Sequence, residues 1–98
     1  MIIRIVELKI NPENLDRARQ LLAAVAPKVR GMQGCSHLHI LTDIRQSNHI
    51  TTYSYWDKEE DLNAYRHSEV FKSFWGEIKP LFALPARAWS SNSLHYLP

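Results

Sequence analysis

The chain has 98 residues, enough for one folded domain spanning 1–98 and too few for a second core. An apolar share of 45% with 22% charged residues excludes a disordered chain, and a formal charge of +2 is too small for an electrostatic nucleic-acid binder. No apolar run approaches the ~20 residues that cross a bilayer, and the lone Cys35 excludes an intrachain disulfide or a cysteine metal cluster.

A charged residue interrupts the opening apolar stretch, so no signal peptide is expected and a cytoplasmic location is the default. Ile2 to Ile10 is rich in β-branched residues and reads as a strand. Val6, Leu8 and Ile10 take one face; Ile3, Ile5, Glu7 and Lys9 take the other. Apolar residues on both faces predict a strand that is central or covered on both sides.

Asn11-Pro12-Glu13 then reads as an N-cap with proline at the first helical position and an acid favourable to the helix dipole. Leu15, Ala18, Leu22, Val25 and Val29 recur at helical steps and form one stripe. Pro27 is expected to terminate or kink this helix, and Gly31 and Gly34 mark a loop.

Cys35 to Thr42 reads as a second strand, with Cys35, His37, His39 and Leu41 on one face and Ser36, Leu38, Ile40 and Thr42 on the other. The polar stretch Asp43 to Asn48 suits a hairpin. His49 to Trp56 is the strongest strand signal, with Thr51, Tyr53 and Tyr55 opposite Ile50, Thr52, Ser54 and Trp56.

Asp57 with Glu60 three residues on fits an N-cap, and Leu62 and Tyr65 give a short helical face. Ser68 reads as a second cap, opening a helix through Phe71, Trp75, Ile78 and Phe82. After Pro80 and Pro85, a final strand is expected over Ala86 to Ser91.

The order β-α-β-β-α(α)-β builds the α+β, ferredoxin-like split βαβ arrangement, a four-stranded antiparallel sheet with helices on one face. The other face stays bare. Ile3, Ile5, Tyr53 and Tyr55 make it apolar, which predicts a homodimer packed sheet against sheet.

The segment Tyr53-Ser-Tyr-Trp56-Asp-Lys-Glu-Glu-Asp-Leu62-Asn-Ala-Tyr65-Arg-His-Ser68-Glu-Val-Phe71-Lys72 resembles the antibiotic biosynthesis monooxygenase domain of the dimeric α/β barrel superfamily. Val6-Glu7 before the turn at Pro12, and Gly31-Met-Gln-Gly34-Cys35, support the resemblance. It implies a homodimer with a pocket in each protomer between helices and sheet. It further implies oxidation of a small aromatic quinol or phenol by dioxygen, with no metal, flavin or other cofactor. Neither nucleic acid nor membrane is an implied partner.

Trp56 matches the family's strand-end tryptophan. Thr52 stands where polyketide-oxidising members carry asparagine, and Leu62 where they carry tyrosine. Tyr65 stands where a quinol-oxidising branch often shows histidine. Haem-degrading relatives need an asparagine and a histidine where this chain has Val6 and Arg66, so haem ligation is not expected.

Cofactor-free oxygenation asks for a pocket that holds a flat body, stabilises an anion and restrains water. Thr52, Ser54 and Trp56 share one strand face and are candidate substrate-binding residues, with Tyr65 and Trp75 as further walls. The alternative is that Thr52 and Ser54 serve a snug core. His67 is the candidate proton acceptor and Arg66 the candidate anion stabiliser, against a surface position for both. Phe71, Ile78 and Phe82 read as core.

His37 and His39 form an H-x-H pair that could supply two metal ligands, with His49 or Glu7 as a third. Packing at the dimer face is the simpler reading, and no metal site is assigned. Arg87 reads as a solvated edge and Cys35 as a packed thiol. Two functions compete with oxygenation: a non-catalytic small-molecule-binding or assembly module, and an isomerase of a small carbonyl metabolite.

Overall fold

The computed structural model describes all residues, 1–98. Its elements are β1 (Ile2–Ile10), a 3-10 turn (Pro12–Asn14), α1 (Leu15–Arg30), β2 (Cys35–Thr42), β3 (His49–Trp56), α2 (Glu59–Arg66), α3 (Glu69–Ile78), a second 3-10 turn (Lys79–Leu81) and β4 (Phe82–Asn92). The four strands form one antiparallel sheet in the order β2-β3-β1-β4. This is the α+β, ferredoxin-like arrangement expected from the element order, with β1 central. No helix is long and apolar enough to cross a membrane.

Strand parity decides what the helices cover. Val6 pairs with Thr52 and Ala88, and Arg4 with Ser54 and Ser90, so these residues share the inner face with Leu38 and Ile40. Two buried clusters anchor the helices there. Leu8, Ile10, Ala18, Leu21, Leu22, Ile50 and Ile78 form one. Val25, Val29, Cys35, Trp56 and Leu62 form the other.

Several local details depart from the sequence reading. Asn11 caps no helix; its Nδ2 donates to the Phe82 carbonyl at 3.3 Å, tying the end of β1 to the start of β4, and Pro12 opens a 3-10 turn instead. Pro27 does not end α1. It lies in the last turn, where only the bond to the Ala23 carbonyl is forgone, and the helix runs on to Arg30.

Cys35 does not share a face with His37 and His39. A register shift between Cys35 and His37 sets Cys35 opposite Trp56, in the core, and His37 opposite Tyr55 on the bare face. The α2 cap position is Lys58, without a side-chain bond, and not Asp57, whose N–H is committed to the Gly34 carbonyl at 2.8 Å. Gly34 has φ +82°, and a Cβ there would run into the Asp61 carboxylate, so this entry into β2 requires glycine.

Ser68 caps α3 as expected, its Oγ accepting from the Phe71 N–H at 3.2 Å. That helix stops at Ile78, however. Pro80 lies in the 3-10 turn, and Phe82 begins β4, which is longer than expected and absorbs Pro85 beside a register irregularity on an edge strand.

Candidate functional site

Between the two buried clusters, under the helices, lies a cavity of about 410 Å³. That volume lies within the ordinary range for small-molecule pockets. Its origin is a mismatch of side-chain size. The sheet floor offers Thr52, Ser54, Ala86 and Ala88, whereas α2 and α3 face it with Leu62, Tyr65, Phe71, Phe74 and Trp75. The small floor residues are too short to meet the aromatic wall, so space remains.

The wall is a continuous aromatic run. Trp56 stacks on Tyr65 with ring centroids 5.2 Å apart, and Tyr65 meets Phe71 edge-on at 5.4 Å. Phe71 stacks on Trp75 at 5.6 Å, and Trp75 meets Phe82 at 5.5 Å. Such contacts fix ring planes and make a rigid surface suited to a flat guest.

Of the residues singled out in the sequence, Thr52, Ser54, Tyr65, Arg66 and Trp75 line this cavity together. Trp56 does not. It is fully buried behind the wall, and its Nε1–H donates to Ser54 Oγ at 2.8 Å. Because Ser54 accepts this bond, its own O–H proton stays free to donate elsewhere. Trp56 therefore orients a lining residue instead of touching the cavity. His67 is also absent from the lining. It is exposed at the end of α2, with Nδ1 2.8 Å from the Asn63 carbonyl oxygen. Consecutive helical residues diverge, and Arg66 is the one turned to the cavity. Phe71, read as core, is a lining residue because α3 faces the small floor of β4.

Arg4 was not among the sequence candidates, yet it lines the cavity beside Arg66. The available signal was a cation on the inward parity of β1, in step with Val6 and Leu8. Burial, then the positive charge of Arg66, hold the Arg4 guanidinium below its ordinary value. Its Nη1 donates to Ser90 Oγ at 3.2 Å, a neutral partner. Burial, with a smaller contribution from Cys35, pushes the Tyr65 hydroxyl up to about 12, so at neutral pH it is a proton donor. The lining includes no carboxylate and no imidazole.

On the opposite face, His37 stacks on Tyr55 at 4.5 Å and lies 5.2 Å from Tyr53, while His39 Nδ1 and the Tyr53 hydroxyl are 3.2 Å apart. No third His, Cys, Asp or Glu joins the two histidines in a group able to hold a metal ion. Arg87 reaches Glu7 at 3.5 Å and lies over the Trp89 ring.

A four-stranded antiparallel sheet over an apolar, sparsely polar cavity defines an α+β ferredoxin-like domain. The chain belongs to the antibiotic biosynthesis monooxygenase family, whose model matches residues 1–76. Among solved structures, it is similar to an antibiotic biosynthesis monooxygenase at 18% identity and TM-score 0.92, over 97% of this chain and 100% of that one. It is also similar to Rv0793 from Mycobacterium tuberculosis, at 15% identity and TM-score 0.91, over 99% and 98% of the two chains. A conserved protein from Methanosarcina mazei matches at 16% identity and TM-score 0.87, over 93% and 91%. At these identities the likeness establishes the fold alone. No curated protein matches the chain.

Proposed function

We propose that the chain is a cofactor-independent monooxygenase that oxidises a small aromatic quinol or phenol with dioxygen, working as a homodimer. Family membership over residues 1–76 makes monooxygenase-like small-molecule chemistry the starting point. The observation that carries the reading is the 410 Å³ cavity with its aromatic wall and few polar groups. Trp75 and Phe71 hold the ring system, while Thr52, Ser54 and Tyr65 offer hydroxyls to its oxygens.

The electrons come from the substrate. A quinol and dioxygen give a hydroxyquinone and water: one oxygen atom enters the ring, the other leaves as water with two substrate hydrogens. The first requirement is the substrate anion, which passes an electron to oxygen. Arg66 and Arg4 favour that anion by charge; a phenol near 10 in water falls by roughly 1–3 units for each close cation. His67, away from the cavity, has no part in this reading.

The dimer rests on the bare face. Ile3, Ile5, Tyr53, Tyr55 and Trp89 form an apolar patch there, and a second copy of the same sheet would cover it. The absence of a carboxylate or imidazole from the lining favours, as a second reading, binding without turnover.

Oxygen uptake with 1,4-dihydroxynaphthalene and related quinols is the test. Uptake above buffer, with one atom of labelled dioxygen in the product, is expected. A folded, ligand-binding protein that consumes no oxygen would leave only the second reading standing. Turnover that continues under argon would point to isomerisation instead.

A further inference from the structure

The cavity is apolar but it is not electrically neutral. Arg4 from β1 and Arg66 from α2 both line it, and neither belongs to the ion pairs of this chain, which join Arg17 to Glu77 and Arg87 to Glu7. No acidic residue lines the space. Two guanidinium groups from different elements thus converge on one cavity without a counter-charge. Like charges held together in a partly desolvated site destabilise one another unless an anion joins them. The planar guanidinium matches an oxyanion in fork geometry, which a pair of such groups can clamp from two sides.

We infer that the ligand of this cavity is an aromatic acid, a flat ring system whose carboxylate sits between Arg4 and Arg66. The inference rests on the reading that the cavity takes a flat aromatic and narrows the class of that guest. An acid is favoured over a simple phenol by the chemistry of the lining. A phenol, near 10 in water, matches a cation only after giving its proton to solvent, since no base lines the cavity. A carboxylic acid near 4 enters already ionised and neutralises one of them. The ring then lies along Tyr65, Phe71 and Trp75 while the acid group faces the arginines.

Calorimetric titration with 2-naphthoate, 2-naphthamide and 2-naphthol separates the possibilities. Naphthoate is expected to bind about tenfold or more tightly than the other two at low salt, with the preference shrinking as salt rises. Arg4→Gln and Arg66→Gln are each expected to weaken naphthoate about five- to tenfold and leave naphthamide within about twofold, and Arg66→Lys to retain part of the preference. Should Arg4→Gln fold poorly, the exposed Arg66 still carries the test through its two variants. Equal affinity for all three probes overturns the anion site while the aromatic-binding reading survives. Binding of none of them overturns both.

Discussion

The two faces of one sheet differ in what they do with aromatic residues. On the inner face the floor is small, and the aromatics come down from the helices, leaving a hollow. On the outer face, the strands themselves carry Tyr53, Tyr55, His37 and Trp89; the rings of the first three pack on one another and Trp89 is exposed. The inner face also holds unpaired cations, whereas on the outer face Arg87 already has Glu7. Alternate residues of the same strands thus separate the cavity from the proposed interface, because successive side chains point to opposite sides. A change on one face should leave the property of the other intact.

The largest effect expected on the inner side is from Trp56→Ala. Removing this fully buried ring and orphaning its contact with Ser54 should cost about 3–5 kcal/mol in chemical denaturation. Outside, Tyr53→Asp would place an unpaired charge in the proposed interface. Sedimentation should then report a dissociation constant raised about a hundredfold or more, equivalent to about 3 kcal/mol, with ligand affinity of the cavity unchanged. Parallel loss of cavity binding would break the separation of faces.

A pH effect sharpens the inner side. The buried Tyr65 hydroxyl lies at about 12 against an ordinary 10.0, so the folded chain keeps a proton that the unfolded chain releases. The stability this confers is fully present below pH 10 and is lost as pH rises to about 12, a decline of roughly 2–3 kcal/mol that Tyr65→Phe should lack. Equal alkaline declines in both proteins would contradict the assignment. Ser68→Ala is the smallest change: losing the α3 cap should cost about 1 kcal/mol without altering association.

The fold was legible because two periods alternate cleanly along the chain, and the cap at Ser68 and the face split at Tyr53 and Trp56 follow directly from them. Parity arguments failed where the ladder is irregular. The shift after Cys35 sends that thiol inward, and the irregularity beside Pro85 extends β4 back to Phe82. Thr52, Ser54, Tyr65 and Trp75 could be placed in one site from spacing and family resemblance together. Arg4 was hidden because a lone cation in an isoleucine-rich strand reads as a break in the apolar pattern, and only the tertiary fold brings it beside Arg66. His67 lies apart for the converse reason: it follows Arg66 in sequence, but one residue's rotation past the end of α2 carries it away from the cavity.

Ala88, on the floor at an edge strand, offers the most direct test of the hollow itself. Calorimetric titration under argon with 1,4-dihydroxynaphthalene should give one bound molecule per chain for the natural sequence. Ala88→Phe, whose ring would occupy the cavity, should show an unchanged circular dichroism spectrum and no binding. Undiminished affinity in that folded variant would put the ligand elsewhere and contradict the account.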